Sequence, residues 1–257
     1  MNKGNPFYGN IFQDYPPSVP LRPYVAAYWH INNSSGSTIH LPVVPDGSSD
    51  IIFYLNSNDS PFVVGLMSRA QLIETPDAIQ LFGIRFCPGV LSFLLETDMR
   101  ELTNITRPLD QFSRNPFGRL RIKKNPVSQL LAESNRIIEE EINKTTFHDT
   151  ILTIIRKLSS SPELSISSLA REYGIHPKNL ERLFYRHIGI SPKKFGGIMR
   201  FYKAHKHLLH NGLQDLVTTS LESGYFDQSH FNREYKKLTG THPTSNTMSI
   251  LYNTPSE

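Results

Sequence analysis

Residues 174–192 read GIHPKNLERLFYRHIGISP and residues 224–243 read GYFDQSHFNREYKKLTGTHP, the second stretch repeating the plan of the first about fifty positions later. Gly174, Leu180, Phe184, Gly189 and Pro192 correspond to Gly224, Phe231, Tyr235, Gly240 and Pro243, and Arg182 and Arg233 each follow the first large apolar position by two residues. From Leu180 or Phe231 to the prolines the spacing is identical, and only the turn differs, by one residue. Duplication is the economical reading, and a repeat constrains the fold more than any single motif. Each copy scans as a short helix, a Gly turn and a second amphipathic helix. That is the layout of a helix-turn-helix, whose second helix enters the DNA major groove. The repeat predicts a chain that meets DNA at two neighbouring places.

Working outward, the segments around the repeat are helical in pattern. Ile151, Ile154, Ile155 and Leu158 form an amphipathic helix that Ser159-Ser160-Ser161-Pro162 terminates. Ser165 can cap the next, which runs through Leu169-Ala170 to about Tyr173. His176-Pro177 opens the following one, with Pro at the first position, where its missing N–H costs nothing. There Leu180, Leu183, Phe184 and His187 fall at core spacing, which turns Lys178, Glu181, Arg182 and Tyr185 outward. Ser191-Pro192 starts a long helix carrying Phe195, Ile198, Met199, Tyr202 and Leu209, stopped by Gly212, and this helix sets the distance between the two units. Segments near Leu216 to Ser223 and Gln228 to Leu238 repeat the scheme.

The first 120 or so residues follow a different period. Tyr24 to Ile31, Ile39 to Val44, Asp50 to Leu55, Phe62 to Leu66 and Ala78 to Phe86 are short runs of aromatic and β-branched residues separated by Gly, Pro, Asn and Ser. They predict a small sandwich or barrel. Pro45-Asp46-Gly47 is a turn in which Pro presets φ, Asp bonds nearby backbone and Gly takes positive φ. In the last run Phe82, Ile84 and Phe86 share one face and Leu81, Gly83 and Arg85 the other, so Arg85 is an ionic group in an apolar strand. Val90 to Leu95 reads as a short apolar helix, and Arg107 to Lys124 as a polar surface connection. Pro126 to Lys144 reads as a helix with Leu130, Leu131, Ile137, Ile138 and Ile142 on one stripe. The stripe fits packing on its own β domain or, as the alternative, dimerisation. A boundary near Lys144 to His148 gives two domains: 1–145, β-rich with a helical end, and 146–257, all helical.

Composition narrows the function class. The chain has 257 residues, 38% of them hydrophobic, enough for two ordinary domains. It has no apolar run of membrane-span length, and Met1 to Tyr15 is polar and lacks a signal-peptide core, so a cytoplasmic location is expected. A lone Cys87 excludes an intramolecular disulfide and a multi-Cys zinc site, and between Phe86 and Pro88 it reads as a small packed residue. The net charge of +4 is unevenly spread: residues 1–147 hold 13 Lys/Arg against 14 Asp/Glu, and residues 148–257 hold 14 against 9, with eight of the ten His. The positive end is the end with the repeat, as phosphate neutralisation requires.

With Leu169-Ala170, Gly174, Leu180, Arg182, Phe184, Gly189 and Ser191-Pro192, followed by Gly224-Tyr225-Phe226-Asp227-Gln228-Ser229-His230-Phe231, Arg233, Tyr235, Lys236, Gly240 and Pro243, the stretch from about Phe147 to Ser249 resembles the DNA-binding domain of the AraC/XylS family of bacterial transcription regulators. The resemblance implies seven helices forming two helix-turn-helix units joined by a long helix. Pro45-Asp46-Gly47, Val64-Gly65, Gly83-Ile84-Arg85-Phe86 and Pro88-Gly89 resemble a poorly characterised sensing domain found ahead of such modules. Carried over by position, base-facing residues fall on Lys178, Glu181 and Arg182 in the first unit and on Gln228, Ser229, Asn232 and Arg233 in the second. Their chemistry suits the role: Arg pairs with guanine O6/N7, Gln or Asn with adenine N6/N7, and Glu accepts from cytosine N4. Each also has a plainer alternative, Arg182 or Arg233 as a solvated charge, Glu181 as a partner of Lys178, Ser229 as a phosphate contact. Helix-opening amides near Ser191 and His242, with Lys193, Lys194, Lys236 and Lys237, suit phosphate. Two departures from the family pattern, Thr219-Ser220 in place of an Ile-Ala pair and Ser245-Asn246 where an aromatic is usual, predict looser packing of the second unit.

An enzyme is the rival class: a cupin-like barrel holding a metal, or a ligand-binding protein whose helical half mediates protein contacts. Metal chemistry wants clustered His and carboxylates, but only His30 and His40 precede residue 147, and His205 and His207 point apart on their helix. Asp46 and Asp50 read as turn caps sooner than as paired acids. No phosphate loop, nucleophile elbow or Cys/His pair is present. The expectation is therefore an α+β transcription regulator with no catalytic or metal residues and no cofactor. Its partners are double-stranded DNA and, as further candidates, a small-molecule effector, a second copy of the chain and RNA polymerase. Trp29, Tyr54 and Arg85 are the candidate ligand-pocket groups.

Overall fold

The structure, a computed structural model, describes residues 11–120, 122, 125–147, 149–211 and 216–243. Its first part is β-rich: β1 (Phe12–Tyr15), β2 (Val25–Asn33), β3 (Ile39–Val43), β4 (Ser49–Tyr54), β5 (Phe62–Val64), β6 (Gln71–Thr75), β7 (Ile79–Phe86) and β8 (Thr106–Pro108). Six of them form one antiparallel sheet in the order β1-β2-β7-β4-β5-β8, and β3 pairs with β6. The five strands expected from hydrophobic alternation all form. β1, β6 and β8 escape that reading because two are very short and β6 exposes four of its five residues, leaving little alternation to detect.

The pleat divides the side chains between two cores. Tyr28, Ile51, Phe53, Val63, Phe82, Ile84 and Phe86 face the main core, under α1 (Val90–Leu94) and α2 (Val127–Lys144). Trp29 and Ile31 face the other way and pack with Leu41 of β3. Gly83 makes this second core possible, since a Cβ there would lie 1.9 Å from the Trp29 indole. Leu130, Ile137 and Ile138 of α2 are fully buried against their own domain, so the packing alternative for that stripe holds. Residues 107–120 depart from the expected surface connection, and Arg121, Lys123 and Lys124 lie outside the described residues. Leu109, Phe112, Phe117 and Leu120 are buried between short 3-10 turns, because four apolar residues amid the Arg and Pro suffice to anchor the segment.

The second part holds α3 (Asp149–Ser160), α4 (Ile166–Glu172), α5 (Pro177–Ile188), α6 (Pro192–Asn211), α7 (Leu216–Glu222) and α8 (Gln228–Thr239). The last helix implied by the resemblance, and Ser245-Asn246, lie outside the described residues. One hydrophobic cluster runs through both parts, from Leu21 to Leu238. At the junction Phe147 lies against both Tyr24 and Phe93, with ring centroids 5.3 and 5.4 Å apart. No described helix is long and apolar enough to cross a membrane.

Candidate nucleic-acid interface

The duplicated sequence folds into duplicated geometry. His176 caps α5, its Nδ1 accepting from the Lys178 amide at 3.3 Å, and Asp227 caps α8, accepting from the His230 amide at 2.6 Å. The turn glycines Gly174 and Gly224 and the terminating glycines Gly189 and Gly240 all have φ between 62° and 93°. A left-handed residue is needed at each of those places, which is why the repeat keeps glycine there. Leu180, Phe184 and His187 bury one face of α5, and Phe231, Tyr235 and Leu238 the matching face of α8.

The opposite faces carry the residues expected to meet bases. Lys178, Glu181 and Arg182 are exposed on α5, and Ser229 and Arg233 on α8; Gln228 and Asn232 are half-buried. Arg182 and Arg233 form no ion pair among the described residues, nor does Lys178. Asn232 departs from the group, because its Oδ1 is buried without a hydrogen-bond partner among the described residues and a paired contact to adenine needs that oxygen turned outward. Ser191 caps α6, accepting from the Lys194 amide at 3.3 Å, and Lys193 and Lys194 are exposed on its first turn. This combination of helix N-terminus and cations suits a phosphate. Lys236 and Lys237, also exposed, stand on the last turn of α8, where they complement the helix dipole as well.

The C-terminal ends of α5 and α8 both rest on the N-terminal part. His187 stacks flat on Phe93, centroids 4.3 Å apart at 7°, and its Nδ1 lies 2.8 Å from Ser92 Oγ. The single Ser92 hydroxyl proton goes to the Gly89 carbonyl, so His187 is the donor in that pair. Thr103 Oγ1 donates to the Gly189 carbonyl, and Ala70 N donates to the Leu238 carbonyl at 2.7 Å. Between Glu96–Arg100 and α5 opens a cleft of about 920 Å³, lined also by His176, Asn179, Arg182 and Arg186. Arg182 thus has a wall of the N-terminal part beside it.

The candidate ligand-pocket groups share one sheet face, where Trp29 and Arg85 converge on Asp50 and Tyr54 stands apart. Arg85 pairs with Asp50 (3.1 Å) and Asp46 (3.4 Å), and Trp29 Nε1 donates to Asp50 at 2.8 Å. Burial raises the Asp50 carboxyl against the pull of Arg85, while for Arg85 the two carboxylates outweigh burial and hold it protonated. Tyr54 instead packs on Phe62, centroids 5.6 Å apart. Asp46 is a turn cap as expected, accepting from the Ser48 amide, and a counter-ion besides. The second role was concealed because only the pairing of β4 with β7 brings Arg85 to the turn that holds Asp46. On the other side, the turn at Gly47 abuts Phe195 and Met199 of α6, each 3.0 Å from where a Cβ would sit. Cys87 donates to the Arg22 carbonyl, and burial pushes its thiol up to about 11, an unreactive state. No cluster of three metal-ligating side chains exists among the described residues.

Thr219 and Ser220 are buried and satisfied, Thr219 by His207 Nδ1 at 2.8 Å and Ser220 by the Val217 carbonyl at 2.7 Å. The polar pair is therefore accommodated rather than left as orphaned groups.

This geometry is that of a double helix-turn-helix. Residues 169–246 match the family described as a helix-turn-helix domain, and residues 13–108 match a domain of unknown function, DUF6597. The chain is 34% identical over 79 residues to the virulence regulon transcriptional activator VirF of Yersinia enterocolitica, covering 31% of this chain and 29% of that protein. It is 29% identical over 123 residues to the arabinose operon regulatory protein of Salmonella typhimurium, covering 47% of this chain and 43% of that one. Among solved structures, ToxT from Vibrio cholerae aligns over 93% of this chain and 98% of its own at 10% identity, with a TM-score of 0.46. Residues 169–246 of this chain thus match a helix-turn-helix domain, and the chain is similar over part of its length to these transcription regulators. The matches span less than half the length of these curated relatives.

Proposed function

We propose that this chain is a sequence-specific DNA-binding transcription regulator of the cytoplasm, not an enzyme. Residues 146–257 read DNA, and residues 1–145 sense a small ligand or mediate dimerisation. The observation that carries the reading is the pair of recognition helices whose exposed faces keep Arg182 and Arg233 without ion-pair partners among the described residues. An uncompensated Arg on the outer face of a capped helix is what bidentate contact to guanine requires. Lys178, Glu181, Gln228 and Ser229 complete the base-reading set, with Asn232 contributing after a side-chain rotation. Ser191, Lys193 and Lys194 hold phosphate, joined by Lys236 and Lys237. The two helices would enter successive major-groove segments about one turn, roughly 34 Å, apart.

The contacts between the two parts support regulation. Glu96, Thr97, Asp98 and Arg100 line the same cleft as Arg182, and Ser92 and Thr103 hold the end of α5. A ligand or a second copy that moves this segment would change the access of DNA to α5. The Arg85–Asp50–Trp29 cluster sits on the sheet whose adjoining turn touches α6, so a ligand competing for Arg85 has a mechanical route to the linker helix. The test is selection of bound duplexes from a random pool by the full chain. A two-part site recovered by the wild type supports the reading, and equal retention of all sequences contradicts it.

A further inference from the structure

α6 joins the two units, and at 20 residues it spans about 30 Å. Its length sets how far apart the recognition helices stand, but rotation of one unit about the helix axis needs a separate constraint. Arg200, near the middle of α6, reaches both units at once. Its Nη1 donates to the Pro162 carbonyl at 3.2 Å, in the loop between α3 and α4 of the first unit. Its Nη2 pairs with Glu234 Oε2 on α8 at 3.5 Å, and its guanidinium lies 5.7 Å from the centre of the Tyr225 ring, in the turn of the second. Both charged side chains are mostly buried, Arg200 20% and Glu234 22% exposed, so the pair is shielded from solvent screening.

Small residues keep this junction tight. A Cβ on Gly197 would lie 2.8 Å from Glu234 Oε1, and one on Gly224 would lie 3.2 Å from Glu163 Cβ and 3.5 Å from Arg200 Cδ. The turn of the second unit therefore packs directly on the loop of the first, with the guanidinium between them. Unlike the outward Arg182 and Arg233, Arg200 directs its donors inside the protein, and its planar fork addresses two partners from one rigid group.

We propose that Arg200 is a positioning residue that fixes the rotation of the second recognition helix relative to the first, and so sets the half-site spacing the chain accepts. The proposal rests on the two-site reading of DNA given above. Each inserted base pair rotates one half-site by about 34–36° and shifts it by about 3.4 Å, so a rigid junction tolerates few spacings and a loosened one tolerates several.

The experiment uses the full chain and the two-part site selected from a random pool, resynthesised with one or two base pairs added to or removed from the spacer. The wild type is expected to lose affinity about tenfold or more when the spacer changes by two base pairs. Arg200→Lys, which keeps the charge but not the fork, and Glu234→Gln, which keeps the shape but not the charge, should cut that penalty to about threefold with unchanged base preference inside each half-site. Both are conservative enough to stay folded, as their melting curves will show, and Arg200→Lys combined with Glu234→Gln should add little to either single change. Folded variants that keep the wild-type spacing profile, or that weaken every spacing equally, would overturn the proposal. Failure of the wild type to select a two-part site would instead bring down the two-site reading itself.

Discussion

The two helix-turn-helix units follow one template but sit among different neighbours. Gly189 and Gly240 occupy the same place in the repeat with nearly the same φ, 93° and 83°. A Cβ at Gly189 would lie 2.2 Å from Thr103 Oγ1 and 2.6 Å from the Met99 carbonyl, whereas at Gly240 nothing among the described residues is within 4 Å. His187 and Leu238, also equivalent, both rest on the N-terminal part, the first through a ring stack and a side-chain hydrogen bond, the second through its carbonyl. The first unit is packed with Leu180, Phe184, Phe195 and Ile198, while the second is built around Tyr225, Tyr235, His205, Thr219 and Ser220. The repeat thus keeps its helix caps and left-handed glycines and lets the inner surfaces diverge. The first unit is the one clasped by the N-terminal part, and the second is the one with a polar interior.

Breaking that asymmetry gives the largest effect. Gly189→Ala meets both a left-handed backbone and a clash with main chain and should cost about 3 kcal/mol or more, against about 1 kcal/mol for Gly240→Ala, where only the backbone term applies. Denaturant unfolding of the full chain compares the two, and equal losses would erase the distinction.

Acid should act on the second unit first. Burial lowers His205 from 6.5 to about 4, stacked on Phe201 beneath Tyr235. The unfolded chain binds that proton more readily, so the stability this neutral ring contributes is complete above pH 6.5 and is lost as pH falls toward 4. The loss is on the order of 3 kcal/mol at most. His205→Phe should flatten the stability profile across that window. A profile unchanged by the substitution would show that the titration lies elsewhere.

On DNA the units should behave alike. Arg182→Ala and Arg233→Ala should each cost about 1–3 kcal/mol on the selected site, with little change on random duplex. Equal losses on both would assign these arginines to phosphate. The smallest effect is expected from Lys194→Ala, which should weaken all sequences similarly and lower the salt slope by about 1.

Much of this was legible in the sequence because helix-turn-helix units are local. Caps at Ser165 and Asp227, glycines at fixed offsets and the apolar stripes of α5 and α8 act within a few residues, so periodicity found every described helix of the C-terminal part. What stayed hidden is carried by distant pairs. Asp50 becomes the partner of Arg85 and Trp29 only through sheet register, and Arg200 meets Pro162 and Glu234 only through helix packing. Likewise the burial of Phe112 and Phe117 follows from the β core they cover, which their polar surroundings do not announce.

The most direct test of two tandem reading heads is to select sites in parallel with the wild type, Arg182→Ala and Arg233→Ala. Each variant should lose base preference at a different segment of one motif, the two segments centred about 10 base pairs apart. Loss at the same positions in both, or an intact motif in either, would contradict the account.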